Sequence, residues 1–238
     1  MMTPTRHTAF LADIRVLPPR GLNTSVYLDI NHFARHTEWA HSFMHAYALW
    51  LGAVLLVAIF IAAYGFAWWR RDRRAAALMG LSGIGTLVAL GLNQIVGHAA
   101  KELRPYDTLH HVLVLVPRAN DYAFPSDHAV IAGALVTSVL LVSRRAERSN
   151  RRGQLVPAMV ALSLLSAVFG ILLCFARVYV GAHYPGDVVA GFLLGSFVVV
   201  VTSLARPIAY RIGDFLEPTR LGILIRRAPT MRQSSTDG

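Results

Sequence analysis

Apolar residues run through this chain in long blocks with little amphipathic rhythm. Ala46–Trp69, Ala75–Val96, Gly153–Ala176 and Val188–Ala205 contain no Asp, Glu, Lys or Arg. Each is near or above the roughly 18–20 residues that cross a bilayer as a helix. A fifth block, Ala129–Ser143, reaches that length if its helix starts near Ser126. Ahead of them, Val26, Ile30, Phe33, Ala40 and Met44 recur at about helical spacing, with Asp29, His32, Arg35, His36 and Glu38 between. That stretch, Ser25–His45, reads as an amphipathic helix in the membrane interface. The pattern therefore predicts an all-α fold: a polytopic membrane bundle of five transmembrane spans plus one N-terminal interfacial helix. Residues 1–24 show no period and are read as a poorly ordered segment. Residues 25–206 form the membrane domain, and 207–238 a basic tail whose Ile208–Arg227 stretch suits anionic lipid.

Composition agrees. Only 15% of residues are charged and mean hydropathy is +0.47, whereas soluble domains carry about 25% charge. The formal charge of +10 is not a nucleic-acid footprint, because the basic residues follow the membrane. Arg70, Arg71, Arg73 and Arg74 fill the first inter-span loop. Arg144, Arg145, Arg148, Arg151 and Arg152 fill the third, and Arg206, Arg211, Arg220, Arg226, Arg227 and Arg232 the tail. The positive-inside rule makes these segments cytoplasmic and puts the second and fourth loops outside. The first 20 residues are polar, with prolines at 18 and 19, so the first span is expected to act as its own signal. The single cysteine, Cys174, lies in an apolar block and reads as an inert thiol.

Polar residues interrupt the blocks at three places. Lys101 and Arg104 end the second span before Pro105, either as a phosphate-sized clamp or as cations snorkelling to headgroups. Phe124-Pro125-Ser126-Asp127-His128 opens the third span. It is a helix start signal, and equally an anion site on backbone N–H groups, with His128 placed to move a proton. Arg177, His183 and Asp187 lie between the fourth and fifth blocks. If the helix restarts near Tyr184, His183 and Asp187 are one turn apart. Asp187 can then hold one imidazole nitrogen while the other faces a substrate. The topology puts all three clusters at the outer ends of spans. Gly80, Gly83, Gly85 and Gly91 in the second span suit close helix packing, and Asn93 suits an interhelical hydrogen bond. His32/His36 and His41/His45 have metal-ligand spacing but no acidic or thiol partner, and are read as interfacial. No metal or cofactor is expected.

These motifs resemble the type-2 phosphatidic-acid phosphatase superfamily of membrane lipid phosphatases. Its second motif, Pro-Ser-x-His, is complete at Pro125–His128. Its third is present as Arg177, five residues, His183, three residues, Asp187, with Ala176 where the family has serine. Its first keeps Arg104-Pro105 but has Gly97 at the lysine position, leaving Lys101 as the candidate substitute on the same helical face. The span pattern carries the likeness over residues 25–206. The stretches Leu115–His128 and Gly181–Val188 look like bacterial undecaprenyl-diphosphate phosphatases. The resemblance implies a phosphohistidine on His183, oriented by Asp187, with His128 as acid and base. Arg104, Ser126, Arg177 and Lys101 then bind phosphate. The partner is a lipid phosphate, most simply undecaprenyl diphosphate, at the outer face of the cell membrane. Phosphatidic acid or phosphatidylglycerol phosphate are rival substrates, because the motifs read only phosphate. An inactive scaffold is the rival of another class; the intact histidines oppose it. Vanadate-dependent haloperoxidases share the site but are not built from five spanning runs.

Overall fold

In the computed structural model the described residues are 21–149, 155–208 and 210. Every regular element among them is helical. Helix α1 is Leu22–Arg35. A single 3-10 turn, Glu38–Ala40, leads into α2 (His41–Ala46), a π turn (Tyr47–Leu51) and α3 (Gly52–Trp69) as one continuous rod. Then come α4 (Arg73–Ala100), the short α5 (Pro105–Thr108), α6 (Asp127–Ser149), α7 (Leu155–Tyr179) and α8 (Pro185–Ser203). Five segments are long and apolar enough to cross a membrane: Glu38–Trp69, Arg73–Thr108, Asp127–Arg145, Pro157–Tyr179 and Pro185–Ser203. The fold class read from the sequence stands. Most of the N-terminal segment and tail lies outside the described residues.

The helix ends follow local chemistry. The Asp72 side chain caps α4 by accepting the Ala75 N–H at 3.0 Å. Pro185 starts α8, where its missing N–H costs nothing. Asp187, in the first turn of α8, accepts the Tyr184 N–H at 2.8 Å.

Helix α6 is the central span, packed on α4, α7 and α8. It meets α8 at glycines. A Cβ on Gly133 would strike the Phe192 carbonyl, and one on Gly195 the Val130 carbonyl. Without a hydrophobic drive between helices in lipid, such close backbone approach supplies the van der Waals contact. Of the four glycines singled out in α4, only Gly85 sits in a tight contact, against Thr202. Gly80 and Gly91 face open space.

The interfacial helix differs from expectation. It stops at Arg35, and His41–His45 belongs to the first span. Its buried stripe is Tyr27, Asn31 and Ala34, while Val26 and Phe33 are exposed. Asn31 hid that stripe, being polar. Its amide brackets Leu113, donating to the carbonyl at 2.8 Å and accepting the N–H at 2.9 Å. Leu113, Leu115 and Val116, half-buried, pack on the same core as Ile30 and Ala34 of this helix. The His32 and His36 rings lie 4.4 Å apart, centroid to centroid, while His36 Nδ1–H donates to the His32 carbonyl and His41 Nε2–H to the Ala34 carbonyl.

Candidate active site

The three motifs meet at one end of the bundle, and the α3–α4 turn lies at the other, where Arg145 reaches Asp72 at 3.7 Å. At the motif end, the loop between α5 and α6 is tied to the α7–α8 turn, Leu115 donating its N–H to the Val180 carbonyl at 3.0 Å. Gly181 turns there with φ +81°, closely against the Leu113 carbonyl. A side chain would be strained at that φ. The turn delivers His183 into the interior, where it is 2% exposed.

His183 is held at both ring nitrogens. Nδ1–H donates to the Ala123 carbonyl at 2.9 Å. That assigns the proton to Nδ1 and leaves the lone pair on Nε2. Two guanidinium groups converge on that lone pair, Arg177 Nη2 at 3.1 Å and Arg104 Nη1 at 3.3 Å. Burial, then the charges of Arg177 and Arg104, push the His183 pKa well below 6.5. The imidazole is therefore neutral at physiological pH, with an unprotonated nitrogen between two cations. Asp187 Oδ2 lies 3.6 Å from Nδ1, near enough for charge but too long for a hydrogen bond. The expectation that Asp187 fixes the tautomer is corrected: the Ala123 carbonyl does so, and Asp187 bonds the Tyr184 N–H instead.

Arg104 stands in extended conformation before Pro105. Besides His183, its Nη1 donates to the Ala182 carbonyl at 3.1 Å. Its Nε and Nη2 both donate to Asp121 Oδ1, at 2.9 and 2.7 Å. Ser126 is fully buried; its N–H donates to the Asp187 carbonyl at 3.1 Å and its Oγ has no hydrogen-bond partner among the described residues. Asp127, the first residue of α6, accepts from Asn93 at 2.6 Å and Gln94 at 3.0 Å, tying α6 to α4. Asn93 thus makes the expected interhelical bond.

His128 and Arg177 both lean on the π turn. His128 Nε2–H donates to the Leu49 carbonyl at 3.1 Å, and Arg177 Nη1 to the Ala48 carbonyl at 3.1 Å. A π turn shifts the helical bonding by one residue; Gly52 N–H bonds the Tyr47 carbonyl. The turn gives these side chains backbone acceptors. Nothing in Tyr-Ala-Leu-Trp-Leu sets it apart from ordinary apolar helix. Asp121 belongs to none of the three motifs.

Lys101 is placed elsewhere than expected. Helix α4 ends at Ala100, and Lys101 is its left-handed cap with φ 51°. It is exposed; its N–H donates to the Gly97 carbonyl at 2.9 Å, and its side chain makes no hydrogen bond or ion pair among the described residues. Lys101 does not share a helical face with Gly97 and Arg104, because the helix has ended. Beside Gly97 lies a cavity of about 140 Å³, lined by Asn93, Gln94, His98, Asp121 and Asp127 among others.

The sequence profile of the PAP2 superfamily matches residues 75–211. The chain belongs to the PAP2 superfamily. It is a multi-pass membrane protein and falls among hydrolases of the lipid-phosphatase class. The undecaprenyl-diphosphatase BcrC of Bacillus subtilis is 30% identical over 200 residues, 83% of this chain and 87% of that one. An undecaprenyl-diphosphatase of Sulfolobus acidocaldarius is 27% identical over 150 residues, 63% of this chain and 60% of that one. In fold, the chain is similar to the transmembrane PAP2-type phosphatidylglycerolphosphate phosphatase of Bacillus subtilis. The TM-score is 0.54, with 20% identity, over 90% of this chain and 94% of that one. Aquifex aeolicus LpxE gives a TM-score of 0.52 and 22% identity over 79% and 98%.

Proposed function

We propose that this protein hydrolyses a lipid diphosphate through a phosphohistidine on His183, and that the substrate is undecaprenyl diphosphate at the outer face of the cell membrane. The observation that carries the chemistry is the His183 lone pair facing two guanidinium groups. A nucleophilic nitrogen with cations on either side suits a phosphoryl group, whose oxygens those cations would hold. Ser126 Oγ, buried and without a hydrogen-bond partner among the described residues, supplies one more donor.

In this reading Nε2 attacks phosphorus as the bond to the bridging oxygen breaks. The Nδ1–H bond to Ala123 and the nearby Asp187 carboxylate stabilise the cationic phosphoimidazole. His128 gives a proton to the departing oxygen and then takes one from the water that attacks phosphorus. Its Nε2–H rests on Leu49, so Nδ1 is the nitrogen that exchanges the proton. Phosphate leaves and Nε2 regains its lone pair. The reaction proceeds with charges the chain itself supplies.

The substrate rests on the two undecaprenyl-diphosphatases among the relatives. The fold neighbour acting on phosphatidylglycerolphosphate supports a second substrate, a glycerolipid phosphate. Phosphate release by the purified protein from isoprenoid diphosphates and glycerolipid phosphates decides between them. Faster release from the isoprenoid diphosphates is expected. Preference for a glycerolipid phosphate would transfer the assignment, and no release from any would sink it. Rapid-quench trapping should give acid-labile phosphoenzyme in the wild type and none in His183→Ala.

A further inference from the structure

We propose that Asp121 is a positioning residue for Arg104. It holds the Nε–Nη2 edge of the guanidinium, so that the Nη1 corner alone faces the reacting phosphoryl group, and it keeps that edge closed to phosphate from the water. The kinetic half of this proposal rests on the phosphatase reading; the binding half does not.

The geometry is asymmetric. Arg104 is 7% exposed and Asp121 60% exposed, yet one carboxylate oxygen takes both Nε–H and Nη2–H. Nη1 is turned the other way, onto the Ala182 carbonyl and His183. Asp121 also lines two hollows that share His98, Asn120 and Tyr122. One is the cavity beside Gly97; the other is an outer cleft of about 520 Å³ that includes Asp107 and Arg118. Asp121 therefore stands between open water and the Arg104 side chain.

That arrangement matters because the edge of a guanidinium is the part that best fits phosphate. Nε–H and Nη2–H form a planar fork that takes two phosphate oxygens side by side. A phosphate docked there would be held away from the His183 lone pair. With the fork occupied by a carboxylate, the strongest phosphate-binding geometry is withdrawn and only the catalytic corner is offered. The carboxylate also offsets one of the two cations crowding His183. An ion pair with one exposed partner adds little to stability, so its effect should appear in binding and rate rather than in folding.

The test uses the full-length protein in detergent, with Asp121→Asn and Asp121→Glu, each also in an Arg104→Lys background that lacks the fork. Calorimetric titration with inorganic phosphate should show Asp121→Asn binding about 3- to 10-fold more tightly, since a competing charge is gone. Turnover of an isoprenoid diphosphate should fall about 10-fold in kcat with KM unchanged or lower. Asp121→Glu should restore both. In the Arg104→Lys background, Asp121→Asn should cost less than about twofold, the signature of acting through Arg104. Unchanged or weaker phosphate binding in Asp121→Asn, or its full kinetic cost in the Lys background, would overturn the proposal. If the wild type turns over no lipid phosphate, the phosphatase reading falls, and the phosphate titration still decides the role of Asp121.

Discussion

At the scale of single residues, the central quantity is the charge state of His183. Its pKa is held well below 6.5, first by burial, then by Arg177 and Arg104. The imidazole must be neutral to attack, so the acid limb of kcat/KM should lie below pH 6.5. Arg177→Gln removes the nearer cation and should raise that limb while lowering the rate. Comparing the two proteins on one substrate cancels the ionisation of the substrate itself. A limb that stays in place in Arg177→Gln would mean that another group sets it. The same shift bears on stability. Between the folded and unfolded pKa values the unfolded chain binds more protons at this position, so stability falls as pH drops through about 6.5 and below. Spacing in the sequence picked out Arg104, Ser126, His128, Arg177, His183 and Asp187, and the structure brings these to one end of the bundle. It did not give their partners. The proton on Nδ1 is set by the Ala123 carbonyl, and a backbone acceptor sixty residues away leaves no mark in residue type.

Elements decide what a spacing argument cannot. Lys101 looked like a substitute for the lysine missing at Gly97 because four residues make one helical turn. Helix α4 stops at Ala100, and a left-handed Lys101 points the chain elsewhere. Lys101→Gly should therefore leave turnover within about twofold of wild type, and should stabilise the protein slightly, because glycine adopts φ 51° without the cost of roughly 1 kcal/mol borne by a residue with a Cβ. A loss of turnover of 10-fold or more would return Lys101 to the phosphate-binding set. The π turn is the opposite case, an element that no pattern announced. Gly52 adjoins it, and a Cβ there would come within 2.8 Å of Leu173 Cδ1 and 2.9 Å of the Tyr47 ring and carbonyl. Gly52→Ala should displace the turn and with it the acceptors of His128 and Arg177. We expect kcat to fall about 10-fold or more while the protein still folds, because misplacing catalytic groups by a fraction of an ångström is costly. Full activity in Gly52→Ala would show that the carbonyls of Ala48 and Leu49 are incidental to the chemistry. The five spans were legible because runs of uncharged residues are written directly in the sequence. The buried stripe of α1 was not, since burying Asn31 becomes favourable only once Leu113 satisfies its amide.

For the whole molecule the open quantity is orientation in the membrane. Alternating spans put the His183 end and the arginine loops on opposite sides, and the contacts agree: Arg104, Ala123 and Asp121 gather around His183, while Arg145 meets Asp72 at the far end. Which end faces the cytoplasm then follows from charge. Lys and Arg are retained on the cytoplasmic side when spans insert, and Arg70, Arg71, Arg73 and Arg74 flank the first loop. This predicts that the catalytic end faces out. An outward site would release phosphate away from the cytoplasm. Single cysteines at Thr108, on the catalytic side, and at Asn150, in the arginine-rich loop, test this in a Cys174→Ala background. Thr108 is exposed and lies beside the site. In intact cells an impermeant thiol reagent should label position 108 and leave 150 unlabelled until the membrane is opened. Labelling of 150 alone would invert the molecule and make its substrate a lipid phosphate of the cytoplasmic leaflet, with the chemistry at His183 unchanged.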